Sequence, residues 1–326
     1  MNYIEFLKTY QKKEVLELPN LMKNRPMVSV IVMTFNHGPF IERCLNEILK
    51  QQTNFAFEII LGEDESSDET IDLCKKIASE NPDKIRLFLH SRENNILING
   101  KRTGRFNFIY SLYLSRGKYI AMCDGDDFWT DPLKLQKQVD FLDTHKDYSG
   151  SFHNCNIVYL EKKLREKTFP DLTNHTIMFN DVLKDWLIPT ASFVFRKDVL
   201  KNLSHTYVKL QSVDRLIHLL VANEGLIKFE HNIWSVYRIH DKSITETNQN
   251  FHNLNGQKNY LKLLISILPN LKAENKLLTR KHISILSRFI HNNSNFPEKL
   301  KYKLISIKHN SDLNWKGKIL ALIHKP

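Results

Sequence analysis

Apolar runs and amphipathic segments alternate along the first half of the chain. Four largely apolar runs lie at residues 28–33, 57–61, 85–89 and 118–123, and the first of them is rich in β-branched residues. Three segments between them repeat apolar residues every three or four positions, at residues 40–51, 69–79 and 106–115. Such runs are typical of strands buried on both faces of a parallel sheet, and such segments are typical of helices. Their alternation predicts an open, mostly parallel α/β sheet flanked by helices.

The second half of the chain has a mixed pattern. Helices are predicted at residues 133–145 and 214–223. Strand-like pieces fall at residues 151–159, 192–195 and 233–239. Towards the C-terminus, apolar stripes alternate with lysines at residues 260–268, 276–290 and 300–307. These stripes predict three further helices.

Composition divides the chain into three parts. Residues 1–25 predict a short amphipathic helix that Pro26 ends. Residues 26–248 form the α/β domain. A polar stretch at 248–257 then separates that domain from a basic, α-helical region at residues 257–326.

The net charge of +11 is concentrated at the C-terminal end. Residues 257–326 hold 14 Lys/Arg and 3 Asp/Glu, whereas the remaining 256 residues hold 33 of each sign. Three interpretations fit this region: attachment to an anionic membrane surface, nucleic-acid binding, or a helical cap whose lysines are solvated. Because no nucleic-acid-binding motif accompanies the lysines, we expect no nucleic-acid partner.

Cysteine spacing and hydropathy predict a cytoplasmic protein. The four cysteines, Cys44, Cys74, Cys123 and Cys155, show no CxxC spacing. This argues against a zinc site and a disulfide framework, and a reducing compartment fits. Residues 1–20 alternate charged with apolar residues, unlike a signal peptide, and no apolar run reaches about 18 residues. Peripheral attachment to the inner face of the cytoplasmic membrane is one interpretation of the basic end.

An acidic cluster follows the fourth apolar run. Asp124, Asp126 and Asp127 stand within four residues, and their charges repel one another unless a cation or hydrogen-bond donors lie among them. Hard divalent cations take oxygen ligands, commonly one or two carboxylates plus substrate phosphates. The cluster therefore predicts a Mn²⁺ or Mg²⁺ site. The alternative is an acidic turn in which an aspartate caps the next helix.

Two other strand ends carry candidate ligand-binding residues. In open α/β sheets, ligands bind beyond the carboxyl ends of the strands, so the loops after the first, second and fourth runs should share one crevice. There Asp64 can accept a hydrogen bond from the imide N–H of a uracil ring, and Phe35 can stack on a base. The alternatives are a helix start capped by Ser67 or Asp68, and a core position for Phe35.

Asp214 opens an apolar predicted helix. An acid at that position is commonly a cap. A general base must lie within about 2.6–3.2 Å of the hydroxyl that it deprotonates. The sequence leaves both roles open.

The chain resembles the family 2 glycosyltransferases of the GT-A fold. The resemblance rests on four strings: PMVSVIVMTFNHGPFIERCLNEIL, FEIILGEDESSDET, SRGKYIAMCDGDDFWTDPLKLQKQVDFL and SVYRIH. Their order and spacing match the family over residues 26 to about 245, and the basic region lies outside the match.

The resemblance implies a role for each matching position. Residues that would bind the nucleotide-sugar are Thr34, Phe35, Asn36, Asp64, Arg105, Asp124 and Arg238. Those that would bind the metal are Asp126, Asp127 and His240. Asp214 would be the catalytic base. Residues that would face the acceptor are Trp129, Thr190 and Ser192.

The resemblance also implies a reaction. The chain would be an inverting, metal-dependent hexosyl- or N-acetylhexosaminyl-transferase that moves a sugar from a UDP-sugar to a hydroxyl of a glycan or lipid-linked acceptor. Bacterial surface polysaccharide or lipo-oligosaccharide synthesis is the expected setting. The alternative is a sugar-nucleotide-binding or membrane-docked scaffolding protein without turnover. One departure from the family concerns its common Asp-Asp-Gly, which is Glu63-Asp64-Glu65 here.

Overall fold

The computed structural model describes residues 2–22, 25–160, 167–170, 172–241, 254–294 and 298–310. The strands are β1 Leu16–Glu17, β2 Val28–Thr34, β3 Phe57–Glu63, β4 Ile85–Leu89, β5 Ile96–Ile98, β6 Lys101–Thr103, β7 Tyr119–Asp124, β8 Phe128–Trp129, β9 Tyr148–Tyr159, β10 Lys167–Phe169, β11 Thr176–Ile177, β12 Val194–Arg196 and β13 Leu226–Ile239. The helices are α1 Tyr3–Tyr10, α2 Gly38–Leu49, α3 Thr70–Glu80, α4 Arg105–Leu114, α5 Lys134–Thr144, α6 Phe179–Lys184, α7 His205–Val208, α8 Val213–Glu224, α9 Leu254–Ile267, α10 Ala273–Asn292 and α11 Glu298–His309.

One large mixed sheet forms the centre of the described molecule. Its strands follow the order β1-β4-β3-β2-β7-β12-β9-β13-β11, and β4, β3, β2 and β7 run parallel. β12 lies antiparallel between β7 and β9. The predicted open α/β architecture is therefore confirmed, with helices on both faces and three helices at the C-terminal end.

The two faces of the sheet explain why the central strands are continuously apolar. Val30 and Val32 of β2 point into a core that contains Ile41 and Leu45 of α2. Ile31, between them, points into a second core on the other face. Successive side chains of a strand face opposite sides, so both sets must be apolar when helices cover both faces.

The C-terminal helices belong to the second core. Buried residues of α9 and α10 that join it include Tyr260, Leu261, Leu264, Ile283 and Ile290. The Tyr260 hydroxyl donates a hydrogen bond to the carbonyl of Leu183 in α6. α9 to α11 thus pack on the α/β domain. The predicted boundary at 248–257 lies largely outside the described residues, as do residues 311–326.

The N-terminal helix is shorter than predicted. α1 ends at Tyr10, and the backbone N–H groups of Lys12 and Lys13 then donate to Asn94 Oδ1 at 2.7 and 2.8 Å. β1 pairs antiparallel with the edge strand β4. The prediction of one helix over residues 1–25 is wrong because the chain leaves α1 to satisfy these backbone groups at the sheet edge.

Within the described ranges, no helix is both long and apolar enough to cross a bilayer.

Candidate active site

The carboxyl ends of β2, β3 and β7 meet in one crevice, as expected from the sequence. The N–H of Asp64 donates to the carbonyl of Thr34 at 3.1 Å, and the N–H of Gly125 donates to the carbonyl of Met33 at 2.9 Å. A Cβ at Gly125 would lie 2.9 Å from His37 Nδ1 and 3.0 Å from Thr34 Cβ. Only glycine lets the acidic loop approach the end of β2 this closely.

Asp126 lies between two imidazoles. Its Oδ2 is 3.2 Å from His240 Nε2 and 3.8 Å from His37 Nε2. Burial alone would raise the pKa of Asp126, but the hydrogen bond to His240 and the charge of His37 outweigh burial and hold it below its usual range. Asp126 is therefore ionised at neutral pH, and its side chain remains 16% exposed. His37 was not predicted as a site residue, although it stands in the same loop as Phe35.

Asp124 shares the crevice with Asp126 and Asp214. Burial, followed by the like charges of these two residues, raises the pKa of Asp124 to about 7. Asp214, whose charge contributes to this shift, stands in the first turn of α8. The three carboxylates repel one another, and a bound cation would offset that repulsion.

Asp127 faces the protein interior. Its side chain is fully buried, and its Oδ1 accepts a hydrogen bond from the backbone N–H of Arg238 at 2.9 Å. Burial and the charge of Asp126 raise its pKa well above the usual value. Oδ1 of Asp127 thus holds β13 against the acidic loop, whereas its buried Oδ2 has no protein partner among the described residues. The role of Asp127 as a metal ligand stays a prediction.

Arg238 braces the acidic loop from β13. Its guanidinium donates to the backbone carbonyls of Asp126, Asp127 and Phe40. It lies 4.7 Å from the ring centroid of Phe40 and 5.0 Å from that of Phe128. These contacts differ from the predicted contact with the nucleotide-sugar, and the side chain is only 7% exposed.

A second set of groups lies at the end of β3. Asp64 is buried, and its Oδ2 accepts from Asn95 Nδ2 at 2.9 Å and from Arg92 Nη1 at 3.3 Å. Its Oδ1 has no protein partner among the described residues. Burial raises the pKa of Asp64 to about 6, against the opposing effects of Asn95 and Arg92. An unpartnered acceptor beside the crevice can receive a hydrogen bond from a ligand.

Arg92 contacts both Phe35 and Asp64. Its guanidinium carbon is 3.7 Å from the ring centroid of Phe35, and its Nη1 donates to Asp64 Oδ2. Phe35 is half-buried and belongs to neither hydrophobic core, so the alternative of a core phenylalanine fails. Sequence reasoning missed Arg92 and Asn95, because the loop after β4 carries no motif that distinguishes them.

The loops around Asp64 brace one another. Asn36 adopts a left-handed conformation at φ 53°, and its Oδ1 accepts from the Ser67 N–H at 2.9 Å. The Asn36 amide oxygen thus joins the loop after β2 to the loop after β3, and its contact with a nucleotide-sugar stays a prediction. Asp68 Oδ1 accepts from the Thr70 N–H at 3.1 Å, but Glu69, not Ser67 or Asp68, is the N-cap of α3, and it makes no side-chain cap hydrogen bond. Asp68 Oδ1 therefore has a protein partner, whereas Asp64 Oδ1 has none among the described residues.

The departure from Asp-Asp-Gly has a structural explanation. Glu65 occupies the glycine position and adopts φ 60°, the left-handed region that favours glycine. Its Oε2 accepts hydrogen bonds from the Arg92 N–H at 2.6 Å and from Ser91 Oγ at 3.3 Å. Glu63, which is fully buried, accepts from the N–H groups of Glu65 and Ser66. Hydrogen bonds that the carboxylates of Glu63 and Glu65 accept therefore hold the loop in this conformation without a glycine.

Arg105 lies near Asp214. It is buried, and its Nη2 donates to the carbonyl of Gln211 at 3.0 Å. Burial lowers the pKa of Arg105 to about 10, and the charge of Asp214 acts in the opposite direction. The intervening hairpin β5–β6 turns at Asn99-Gly100, and Asn99 Nδ2 lies 3.5 Å from Gln211 Oε1. Arg105 thus lies on the side of the crevice that carries Asp214.

Two of the three predicted acceptor residues lie in the interior. Trp129 is 1% exposed and donates from Nε1 to the carbonyl of Ala191 at 2.8 Å. Ser192 is fully buried and donates from Oγ to the carbonyl of Pro189 at 2.7 Å. Both side chains are enclosed by protein in the structure, and their contact with an acceptor stays a prediction. Thr190 remains partly exposed.

The side chains of the crevice suit a divalent cation whose coordination shell a bound phosphate group completes. Within the described ranges, no three His, Cys, Asp or Glu side chains already form a metal cage. Asp126 supplies an ionised oxygen and His240 an adjacent nitrogen, and Mn²⁺ accepts both ligand types. Phosphate oxygens commonly complete such a coordination shell.

Comparisons with known proteins identify relatives. The sequence model of the family described as Glycosyl transferase family 2 matches residues 29–204. Uncharacterized proteins of Mycobacterium tuberculosis and Mycobacterium bovis are 31% identical over 218 residues, and the matched part covers 67% of this chain and 60% of theirs. The Escherichia coli protein WfaP, a UDP-Glc:alpha-D-GlcNAc-diphosphoundecaprenol beta-1,3-glucosyltransferase, is 26% identical over 77% of this chain and 90% of its own.

Solved structures share the fold. TarS of S. aureus in complex with UDP-GlcNAc has a TM-score of 0.57 and 19% identity, over 90% of this chain and 81% of that chain. The mannosyltransferase PcManGT from Pyrobaculum calidifontis, in complex with GDP-Man and Mn²⁺, has a TM-score of 0.54 and 16% identity, over 98% of this chain and 85% of that chain.

Proposed function

Since the chain belongs to glycosyl transferase family 2, we propose that it transfers a sugar from a UDP-sugar to a hydroxyl group of a glycan or lipid-linked acceptor. The observation that carries the proposal is the pairing of two sites in one crevice. An aromatic ring with a buried, half-satisfied carboxylate lies at the ends of β2 and β3, and an acid–imidazole cluster lies at the end of β7. A nucleoside diphosphate has complementary groups for both.

The uracil ring would bind at Phe35 and Asp64. The free Oδ1 of Asp64 would accept the imide N–H, and the Phe35 ring would pack on the base. Arg92 and Asn95 donate to Oδ2 of Asp64 and fix the orientation of its carboxylate, so Oδ1 remains available to the base. Uridine is favoured over cytidine because cytosine has no N–H at that ring position.

The diphosphate would bind at the acidic cluster with a divalent cation. Asp126 and His240 would hold Mn²⁺ or Mg²⁺, and Asp124 would contact the sugar or ribose. When bound, the cation would neutralise charge that develops on the departing diphosphate. Support for a cation comes from the ionised, partly exposed Asp126 and from the Mn²⁺ in the PcManGT complex.

Asp214 would act as the general base. Its carboxylate would accept the proton of the acceptor hydroxyl while that oxygen attacks the anomeric carbon, so the product inverts configuration. Arg105 would place a positive charge on the Asp214 side of the crevice.

The acceptor would be a lipid-linked glycan of bacterial surface polysaccharide synthesis. Support comes from WfaP, whose name specifies a diphosphoundecaprenol acceptor. A cytoplasmic enzyme at the inner face of the membrane would meet such an acceptor.

A transfer assay with a panel of UDP-sugars and Mn²⁺ tests the proposal. We expect one donor to be consumed, and Asp214→Asn to lower kcat at least about 100-fold while UDP affinity stays within about threefold. Asp140→Asn, on the exposed face of α5, is the control and should retain activity. Tight UDP binding without turnover of any donor would favour the alternative of a binding protein.

A further inference from the structure

The outer face of α10 combines exposed apolar and basic side chains. Leu277, Ile285 and Phe289 are 55%, 62% and 47% exposed, and Lys281 and Arg288 are exposed between them. We call these five residues the α10 ridge. Residues four apart share one side of a helix, so positions 277, 281, 285 and 289 form a continuous row.

The inner face of α10 is already occupied. Ile283, Leu286 and Ile290 are buried in the second core, and Ser284 Oγ lies 3.2 Å from Ser306 Oγ of α11. The ridge is therefore not needed for packing among the described residues. Three large apolar side chains in a row on the surface mark an interaction site rather than ordinary surface variation.

The charge around the ridge selects an anionic partner. The described parts of the C-terminal helices, residues 254–294 and 298–310, contain eleven Lys/Arg and two Glu. One of the two acids, Glu298, is paired with Lys258 at 2.6 Å. The adjacent helices repeat the pattern, since Ile265 follows Lys262 and Leu304 lies between Lys301 and Lys308, all exposed.

We propose that the α10 ridge binds an anionic lipid bilayer surface, with α10 lying parallel to the membrane. Apolar side chains flanked by lysine and arginine suit the boundary between headgroups and acyl chains, where the apolar groups enter and the cations meet lipid phosphates. Solvated lysines alone would not explain the exposed Ile285 and Phe289. This inference depends on the ridge and not on the proposed transfer reaction.

The helix that carries the ridge is connected to α8, which carries the proposed base Asp214, through Tyr260. His282 of α10 lies 5.9 Å from Tyr260, centroid to centroid, and the guanidinium carbon of Arg215 lies 3.6 Å from the Tyr260 ring centroid. Arg215 follows Asp214 in α8. Tyr260 thus connects α10 to the first turn of α8, which carries Asp214.

Vesicle flotation with the full chain tests the proposal. The probes are vesicles of phosphatidylcholine alone and of phosphatidylcholine with phosphatidylglycerol, without donor or acceptor. We expect binding to the anionic vesicles only. Ile285→Ser with Phe289→Ser should weaken that binding at least about tenfold, and Lys281→Glu with Arg288→Glu should do the same.

Matched controls separate the ridge from general effects. Ile4→Ser on α1 is the apolar control, because Ile4 is 64% exposed. Lys75→Glu with Lys76→Glu on α3 changes the net charge by the same amount as the ridge charge pair. Both controls should bind as the wild type does, and thermal melting should show all variants folded.

Three results would overturn the proposal. The first is wild-type protein that does not bind anionic vesicles. The second is binding that survives both ridge variants but is lost on deletion of residues 311–326, which would assign the membrane contact to that segment. The third is a wild-type dimer that Ile285→Ser converts to a monomer, which would make a second copy the occupant of the ridge. Failure here would leave the transfer assay unaffected.

Discussion

Asp64 illustrates how burial sets the chemistry of a single residue. Its pKa is raised from 3.8 to about 6 because burial outweighs the hydrogen bond from Asn95 and the charge of Arg92. A carboxyl group whose pKa is higher in the folded state destabilises the fold once it is ionised. This loss begins as the pH rises through 3.8, the unfolded value, and is complete above about 6.

We predict that Asp64→Asn makes the protein more stable at neutral pH and less able to bind uridine. The uncharged amide avoids the desolvation penalty, so the free energy of unfolding should rise by about 3 kcal/mol above pH 6. The gain should vanish towards pH 4. UDP affinity should fall at least about tenfold because the amide is a weaker acceptor than the carboxylate. Urea denaturation at several pH values and calorimetric titration with UDP measure the two effects, and a gain that is independent of pH would contradict the account.

At the scale of elements, the loop after β3 holds a shape that its sequence does not favour. Glu65 takes the left-handed conformation of a glycine, and two hydrogen bonds that its carboxylate accepts, from Ser91 Oγ and the Arg92 N–H, compensate for the strain. A residue other than glycine in this conformation costs about 1 kcal/mol. The loop therefore depends on the Glu65 side chain more than on its backbone preference.

This balance predicts an unusual ranking of two variants. Glu65→Ala loses the hydrogen bonds and keeps the strain, whereas Glu65→Gly loses the hydrogen bonds and relieves the strain. The glycine variant should therefore be the more stable of the two by about 1 kcal/mol. Denaturation midpoints of both variants measure the difference, and an alanine variant at least as stable as the glycine variant would refute the explanation.

The central strands could be predicted from the sequence, and the edge features could not. β2, β3, β4 and β7 are apolar at successive positions because both faces are covered, which leaves a clear pattern. The sequence does not predict the hairpin β5–β6: Asn99-Gly100 is a recognised hairpin signal, but only the residues before it are apolar, and Lys101-Arg102-Thr103 follow it. The helix predicted over residues 1–25 is wrong beyond Tyr10, because its end depends on a tertiary contact with Asn94.

The same distinction applies to the site. Asp64 and Asp126 were predicted because parallel topology brings strand ends together. Asp127 and Trp129 follow the same strand, but the turn at Gly125 directs their side chains inward, which a linear sequence does not reveal. Arg92, Asn95 and His37 were missed because the direction of a loop side chain depends on the turn that carries it.

At the scale of the whole molecule, the C-terminal helices and the α/β domain share one core. Leu264 of α9 is fully buried in the core that also contains Ile31 of β2 and Phe106 of α4. Asn223 Oδ1 of α8 accepts from the Lys272 N–H at 2.9 Å, which joins the end of α8 to the start of α10. We infer that the helices unfold together with the sheet.

A pair of leucine variants tests this cooperativity. Leu264→Ala leaves a cavity in the shared core and should lower the free energy of unfolding by about 3 kcal/mol. Leu277→Ala, at a site that is 55% exposed, should change it by less than about 0.5 kcal/mol. Thermal melts should show one transition that Leu264→Ala moves as a whole. Two transitions, with only one of them shifted, would instead indicate an independent C-terminal unit.

The central claim is that the crevice binds a nucleoside diphosphate through the cation held at Asp126. Calorimetric titration of UDP in the presence of Mn²⁺, with wild type and Asp126→Asn compared, tests it most directly. We expect wild type to bind UDP, and Asp126→Asn to stay folded but to bind at least about tenfold more weakly, because one cation ligand is lost. Equal affinity of the two proteins for UDP, or no binding by either, would contradict the account.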